Sequence, residues 1–191
     1  MKLASHNTFS YLPVRQWWLR PFAFVGRCQR VNIYEQLLHG ARMFDLRVRF
    51  RNMKPVICHG LLEYDMSDES LRAILKDLND NFPVWIRAVL ESKNPDLEQR
   101  VGFDFFCMKL EREYPNLFFF GGNDRSDWEC KFPLYRFNND MPDIEHLYAS
   151  ATQTSRIDDI WPIRYAKKYN KDNVSHGTDK PWMMIDFLDI T

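Results

Sequence analysis

Two histidines stand at the ends of short apolar runs, and they are the side chains of this sequence best suited to acid–base chemistry. His6 follows "MKLAS", His59 follows "PVIC", and small or turn-forming residues come directly after each. One neutral imidazole can accept a proton near pH 7 while a second, protonated one donates a proton. A lone histidine in such a place is more often structural, but the recurrence predicts that His6 and His59 form a catalytic pair at two strand ends.

Three charged residues could complete such a site. The stretch "RMFDLRVRF" alternates charged and apolar residues, which puts Asp45 and Arg47 on one face of a strand. Cleavage of a phosphodiester needs a fixed positive charge for the phosphate oxygens, and the planar guanidinium of Arg47 can supply it. Asp45 would hold Arg47 or the attacking hydroxyl. Asp186, on the last predicted strand, would orient His6 and stabilise its imidazolium if that strand lies beside the first.

The hydrophobic periodicity predicts strands that alternate with helices. Several segments have apolar residues at helical spacing and begin with a capping residue or end at a glycine. The predicted helices are 29–40, 67–82, 95–114 and a short one within 158–169 that is broken near Pro162. The predicted strands are 2–5, 42–50, 55–60, 83–92, 116–122, 146–151 and 181–190, and the aromatic segment 11–26 is predicted to be a loop.

This alternation favours a parallel sheet that is covered by helices. An open doubly wound sheet fits less well, because no glycine-rich phosphate loop follows the first strand. A barrel accounts better for charged residues on one strand face, since polar groups near its mouth face the active site. A chain of 191 residues is short for a full barrel. The prediction is therefore a single domain, 1–191, forming a small, distorted and incomplete TIM (β/α) barrel with several helices reduced or missing.

Charge and hydropathy exclude several classes of partner. Lys+Arg and Asp+Glu both total 26, so no net charge directs the chain to nucleic acid, and membrane contact is expected to be peripheral at most. No apolar run approaches the ~18 residues that cross a bilayer, and the first residues lack the apolar core of a signal peptide. These features predict a cytoplasmic protein. No feature of the sequence indicates an oligomeric state.

Three ordered motifs carry a resemblance to a known family. "SHNTFSYL", "EQLLHGARMFDLRV" and "CHG" resemble the X-domain pattern of the phosphatidylinositol-specific phospholipase C family, a distorted, incomplete TIM barrel. The resemblance is dense over residues 3–93 and returns at "MMIDFLD". It implies a phosphodiesterase acting on an inositol phospholipid or a related phosphodiester. His6 would be the general base on the inositol 2-hydroxyl and His59 the general acid for the leaving diacylglycerol oxygen, which gives a cyclic inositol phosphate.

The metal requirement has two interpretations, because the sequence mixes two branches of that family. Asn7, Asp45 and Glu91 match three positions of the calcium-dependent site, but Met43 replaces its first glutamate. Arg47 matches the arginine that takes the cation's place in the metal-independent branch. Calcium prefers six to eight oxygen ligands, and a thioether contributes none. The prediction is therefore catalysis without a cofactor, with Ca²⁺ bound by Asn7, Asp45 and Glu91 as the alternative.

Asn7, Glu91 and Lys93 are predicted to bind substrate. Asn7 stands where the metal-independent branch has an acidic residue, so either Asp45 or Glu91 could pair with Arg47. Lys93 is interpreted as a contact to phosphate or to an inositol hydroxyl, with a solvated loop lysine as the alternative. Head-group choice is assigned only loosely to the second half of the chain, where polar and aromatic residues cluster. The candidates there are Arg125, Trp128, Tyr135 and Arg136.

Cysteines and aromatics complete the sequence-based expectations. Cys28, Cys58, Cys107 and Cys130 match no zinc spacing and are predicted to be buried free thiols. The aromatic residues Trp17, Trp18, Phe22 and Phe24 are predicted to pack onto the core, with insertion into a lipid interface as the alternative.

A catalytically silent phosphate- or lipid-binding module is the rival to an enzyme. A binding site needs positive charge but not an acid–base pair, so the presence of both histidines favours the enzyme.

Overall fold

The computed structural model describes residues 1–92, 94–122, 146–149, 161–176 and 181–191, and for 146–149 the backbone alone. Its strands are β1 (Lys2–Ser5), β2 (Ala41–Arg51), β3 (Lys54–His59), β4 (Leu62–Glu63), β5 (Trp85–Leu90), β6 (Phe118–Gly122), β7 (His146–Ala149) and β8 (Trp182–Ile185). Its α-helices are α1 (Ala23–Gly26), α2 (Ile33–Leu38), α3 (Asp68–Asn81), α4 (Leu97–Glu113) and α5 (Pro162–His176). Short 3-10 helices lie at Trp17–Phe22 and Leu188–Ile190.

Parallel strands form the body of the sheet, in the order β7, β8, β1, β2, β5, β6. Helices α2, α3, α4 and α5 lie in the connections between these strands, and α2 has only six residues. Within the described residues no pairing joins β6 to β7, so the barrel is not closed. The predicted fold class, an incomplete β/α barrel with reduced helices, is confirmed.

Side-chain caps explain where three of the helices begin. The side chain of Asn32 accepts hydrogen bonds from the backbone at the start of α2, and Glu35 completes a capping box. Ser67 and Asp96 accept equivalent bonds at the starts of α3 and α4. Gly40 follows α2 with φ of +93°, a left-handed conformation that suits glycine at a helix C-terminus.

Strand β2 has one face in the main hydrophobic core and the other face inside the barrel. Its even-numbered residues, such as Phe44 and Leu46, belong to the main hydrophobic core that also contains residues of α3 and α4. Met43 lies on the opposite face, inside the barrel, where it packs with Ala4, Phe120, Trp182 and Met184. Asp45 and Arg47 follow Met43 on that inner face. The alternation of the sequence therefore places charged groups inside the barrel, on top of an apolar layer.

Strand β3 corrects one expectation about the sheet, because it runs antiparallel to β2. Arg51 pairs with Lys54, so a two-residue turn, Asn52–Met53, joins the strands. Both turn residues have positive φ, 51° and 59°, as a type I′ hairpin requires. The chain thus turns back at the top of β2 and continues into β4 instead of crossing over through a helix.

Two further expectations are wrong. The segment 11–26 contains the 3-10 helix Trp17–Phe22 and the single-turn helix α1, not a plain loop. Pro162 begins α5 instead of breaking it, because the first helical position needs no backbone N–H. Within the described residues, no helix has both the length and the apolarity that crossing a bilayer would require.

Candidate active site

His6 and His59 meet at the carboxyl ends of the parallel strands. Their ring centroids are 5.5 Å apart, in an edge-to-face arrangement with an interplanar angle of 84°. His6 Nδ1 lies 2.6 Å from Asp186 Oδ1, a contact made because β8 pairs with β1 and both residues directly follow their strands. Asp186 thereby fixes the orientation of the His6 ring. The ring of His6 is only 1% exposed, whereas His59 keeps part of its surface accessible.

The β2–β3 hairpin brings His59 to this place. Ile57 pairs with Val48 in an antiparallel register. His59, two residues later, therefore lies further back along β2, just past the level of Arg47. His59 therefore does not end a parallel strand, as the sequence suggested, but the returning strand of a hairpin. Gly60, the next residue, donates its N–H to Glu91 Oε1 at 3.1 Å, and its carbonyl accepts a hydrogen bond from Arg49.

Arg47 lies between two carboxylates beside the histidines. Its Nε donates to Asp45 Oδ2 at 2.6 Å, and an Nη group donates to Glu91 Oε2 at 3.1 Å. The other oxygen of Asp45 accepts a bond of 2.9 Å from Arg87, its pairing partner on β5. All four side chains are buried. Burial alone would raise the pKa of Asp45, but the guanidiniums of Arg47 and Arg87 outweigh it and hold that pKa well below its ordinary value.

Asn7 connects His6 to this network. Its backbone N–H donates to Asp45 Oδ2 at 3.0 Å, and its φ of 43° is a left-handed conformation that asparagine tolerates better than most residues. Its side-chain amide donates to Gly26 O at 3.2 Å and lies 3.4 Å from the Tyr64 hydroxyl. These contacts direct the Asn7 amide towards Gly26 and Tyr64, which form one side of the site.

The carbonyl of Gly26 is the common partner of four side chains of the site, one of which is Cys28, whose sulfur lies 3.6 Å away. It accepts hydrogen bonds from Asn7 and from the Tyr64 hydroxyl, and it lies 3.1 Å from His59 Nδ1. A Cβ added at Gly26 would lie 2.5 Å from Leu62 and 3.5 Å from His59. A side chain at this position would therefore crowd Leu62, whereas its distance to the His59 ring would be an ordinary van der Waals contact.

The surroundings of His59 disfavour its protonated form. Burial and the positive charge of Arg47 lower the pKa of His59 to about 4, although Glu91 acts in the opposite direction. At neutral pH the ring is therefore uncharged in the protein alone. An anion next to it would raise this pKa, because a negative charge stabilises the imidazolium.

Cys28 is a further member of the cluster that the sequence did not assign to the site. Its sulfur lies 4.0 Å from His59 Nδ1, and one ligand atom each of His6, Cys28 and His59 lie within 4.8 Å of one another. Burial and the neighbouring Asp186 carboxylate raise the pKa of the Cys28 thiol well above its ordinary value. Cys28, Cys58 and Cys107 are buried free cysteines, which confirms the prediction for them, and Cys130 lies outside the described residues.

Sequence reasoning missed Arg87, Tyr64 and Cys28. The signal for Arg87 was present, since it is the one charged residue within "WIRAVL", and a charge inside an apolar strand needs a buried partner. Nothing in the sequence pattern marks Tyr64 or Cys28, which reach the site through β4 and the segment after α1. Lys93, Arg125, Trp128, Tyr135 and Arg136 lie outside the described residues.

A groove borders the site on the side of Glu91. It measures about 540 Å³ and is lined mainly by polar residues, among them Arg49, Gly60, Glu91 and Ser92. A larger cavity of about 940 Å³ lies between the hairpin and α4, and it touches none of the clustered site residues. Neither cavity is lined by His6 or His59, and the groove reaches the site through Gly60 and Glu91.

The fold and the site together define a class: incomplete parallel β/α barrels whose strand ends carry paired histidines above a charged interior. Solved structures of bacterial phosphatidylinositol-specific phospholipase C have this fold. The enzyme from Listeria monocytogenes matches 99% of this chain and 89% of its own, with a TM-score of 0.65 and 15% identity. The enzyme from S. aureus matches 97% and 85%, with a TM-score of 0.60 and 11% identity.

A double mutant of the S. aureus enzyme gives a TM-score of 0.56 at 12% identity, over 97% of this chain and 84% of its own. No protein family and no curated protein matches the chain by sequence. The resemblance to phosphatidylinositol-specific phospholipase C is thus confirmed as a shared fold.

Proposed function

We propose that the protein is a metal-independent phosphodiesterase that cleaves an inositol phospholipid or a related phosphodiester. His6 takes the proton of a hydroxyl next to the phosphate, and the hydroxyl oxygen attacks phosphorus. The bond from phosphorus to the leaving oxygen breaks, His59 donates a proton to that oxygen, and a cyclic phosphate forms. The observation that carries this proposal is the contact of the two rings, one of them bonded to Asp186.

Arg47 supports the phosphate in this mechanism. A guanidinium has five N–H donors, and Asp45 and Glu91 each accept a bond from a different nitrogen of Arg47. The carboxylates hold its plane in place, and a positioned cation stabilises the charge that develops on the phosphate oxygens. The same phosphate charge raises the pKa of His59 towards the range that a general acid needs.

The alternative calcium site does not suit these residues as they are arranged. Both oxygens of Asp45 and both oxygens of Glu91 accept hydrogen bonds, and Arg47 takes one oxygen of each. A guanidinium in this position would repel Ca²⁺. The Asn7 side chain is directed towards Gly26 and Tyr64. We therefore propose catalysis without calcium, with the positive charge supplied by Arg47.

Peripheral contact with a membrane is part of the proposal. Trp17, Trp18, Phe22 and Phe24 are 72%, 58%, 59% and 46% exposed, which overturns the expectation that they pack onto the core. Gln16 next to them bonds to Leu61 and Glu63, and Leu61 directly follows the His59–Gly60 turn. The exposed aromatics thus lie on one segment beside the His59–Gly60 turn, where they enter the surface of a bilayer that contains the substrate.

One observation favours the rival function, a catalytically silent phosphate-binding module. His6 is buried, so turnover requires substrate to displace part of the cover over its ring. A module that only binds phosphate would need no access to His6, although phosphate would still have to reach Arg47, which is buried as well.

Phosphorus NMR of the products of phosphatidylinositol and of soluble glycerophosphoinositol distinguishes the two functions. The enzyme should give a cyclic phosphate from at least one of them, with or without a chelator. His6→Asn and His59→Gln should abolish this product, whereas His39→Gln, an exposed histidine at the end of α2, should not. Binding of substrate without any product would favour the silent module. Loss of activity with chelator and its recovery with Ca²⁺ would overturn the metal-free mechanism.

A further inference from the structure

The cluster of His6, Cys28 and His59 has a composition that acid–base catalysis does not explain. General acid–base chemistry needs the two imidazoles but gives no role to a thiol. One ring nitrogen of each histidine and the sulfur of Cys28 lie within 4.8 Å of one another. Two imidazoles and a thiolate are ligands that zinc prefers, and the calcium of the related mechanism would not accept them.

We propose that His6, Cys28 and His59 bind a thiophilic divalent cation, with Zn²⁺ as the reference ion, and that the bound ion inhibits the enzyme. Binding itself stands on the cluster alone, whereas inhibition rests on the proposed function. The bound ion occupies a lone pair of each imidazole, so neither ring can accept or donate the proton that catalysis requires. The thiol proton leaves to solvent as the zinc–sulfur bond forms.

Zinc binding requires the three ligand atoms, now within 4.8 Å of one another, to draw together, and His59 Nδ1 to give up its 3.1 Å contact with Gly26 O. In tetrahedral zinc sites with N and S ligands the ligand atoms are about 3.3 to 3.7 Å apart. The Cys28 sulfur is already 4.0 Å from His59 Nδ1. Three protein ligands leave the fourth position to water or to a phosphate oxygen, as in zinc sites that are open to solvent. His59 keeps part of its surface exposed and marks the side from which an ion enters.

The surroundings supply a second layer of support and the right charge. Asp186 bonds to His6 Nδ1 at 2.6 Å, the carboxylate–histidine contact that orients metal-bound imidazoles. Among the described charged groups, Asp45, Glu91 and Asp186 bring three negative charges and Arg47 and Arg87 two positive ones. The cluster thus carries one net negative charge when both histidines are neutral. A zinc ion with a thiolate adds one positive charge and balances it.

Cobalt titration of the whole chain tests binding without any assay of activity. Co²⁺ should give the visible bands of a tetrahedral ion and the near-ultraviolet charge transfer of a cobalt–thiolate bond, and Zn²⁺ should displace it. Cys28→Ala should lose the thiolate band and weaken zinc binding by more than about 100-fold, since loss of a direct ligand exceeds the usual cost of losing a supporting contact. Cys107→Ala, which removes a buried thiol from α4, should keep both.

Cys28→Ser serves if the alanine variant does not fold, because serine keeps the size of the side chain but cannot form the thiolate band. Absence of that band in the unaltered protein, or its persistence in a folded Cys28 variant, overturns the site. Where turnover is measurable, Zn²⁺ should abolish it in the unaltered protein and in Cys107→Ala, but not in Cys28→Ala. Equal inhibition of all three would overturn the inhibitory role, and the absence of turnover would contradict the proposed function while leaving cobalt binding intact.

Discussion

At the scale of single residues, the position of Arg47 defines what its guanidinium can do. Two carboxylates hold it from different sides, Asp45 at 2.6 Å and Glu91 at 3.1 Å, and all three groups are buried. Buried charges are tolerated when they are paired and hydrogen-bonded. The planar guanidinium meets the two partners through different nitrogens in fixed directions, whereas an ammonium group has its donors on a single nitrogen.

We therefore expect Arg47→Lys to lower kcat/KM by about 100-fold or more, although the charge is unchanged, because a point charge cannot replace the directed donors around a phosphate. Steady-state kinetics on a soluble phosphodiester substrate measure the effect. Arg42→Lys is the matched control, since Arg42 lies on the same strand but, among the described residues, donates to the backbone of Leu37 and Ala41 and not to a carboxylate. Full activity of Arg47→Lys would exclude Arg47 as the phosphate clamp.

Individual residues also show how far sequence reasoning can reach. Asp45 and Arg47 were placed on one strand face by alternation alone, and Asp186 was placed beside His6 by assuming neighbouring first and last strands. The structure has all three in those places. Cys28 could not be placed in this way, because it follows an irregular segment whose path depends on packing and not on a repeating pattern.

At the scale of elements, the β2–β3 hairpin is the feature that sequence reasoning could not supply. The strand patterns on both sides were correct, but the turn residues Asn52 and Met53 lack the glycine that usually marks a type I′ turn. An all-parallel barrel would have a helix between these two strands, whereas here the two residues Asn52 and Met53 join them. The hairpin matters for function, because it returns the chain to the site and delivers His59 from the opposite direction.

The turn itself gives a prediction about stability. Met53 has φ of 59° and is 46% exposed, so it carries left-handed strain with little packing to offset it. Met53→Gly should raise the free energy of unfolding by about 1 kcal/mol, because glycine adopts this conformation without a Cβ clash. For a chain of this size the melting temperature should rise by about 2–4 °C.

Met53→Ala is the control for this turn, since it removes the same side chain but keeps the Cβ and the strain. Urea denaturation of both variants measures the difference. Equal stability of the glycine and alanine variants would show that the backbone at Met53 is not strained.

The 3-10 helix Trp17–Phe22 gives a second prediction at this scale. The double variant Trp17→Ala and Trp18→Ala should bind phosphatidylinositol-containing vesicles at least about 10-fold more weakly, because two large apolar side chains no longer enter the bilayer surface. Sedimentation with vesicles measures the partition. Leu38→Ala is the matched control, as Leu38 is 87% exposed but precedes β2, at the opposite end of the barrel. Equal partition of both variants would remove the aromatic segment from the membrane contact.

At the scale of the whole molecule, the barrel has an apolar floor and a charged upper interior. Ala4, Met43 and Trp182 fill the floor, and Asp45, Arg87 and other ionised groups lie above it. The folded structure thus favours particular protonation states of Asp45 and His59. Asp45 is held ionised by Arg47 and Arg87, and His59 is held neutral by burial and by Arg47.

These protonation states predict that the protein loses stability in acid. The folded pKa of His59, about 4, lies below the ordinary value of 6.5, so between these pH values the unfolded chain binds a proton that the folded protein does not. The free energy of unfolding must then fall as the pH is lowered from about 6.5 to about 4. Asp45 acts with the same sign further down, because its pKa is also lower in the folded state than in the unfolded chain.

Urea denaturation across this pH range, together with an NMR titration of the His59 ring, measures the effect. His59→Gln should make the fall in stability shallower between pH 6.5 and 4, because its uncharged side chain takes up no proton in either state. His39→Gln, an exposed position at the end of α2, is the matched control for the loss of an imidazole. A stability that stays constant or rises as the pH falls, or a His59 midpoint near 6.5, would mean that the histidine is not held neutral by its position beside Arg47.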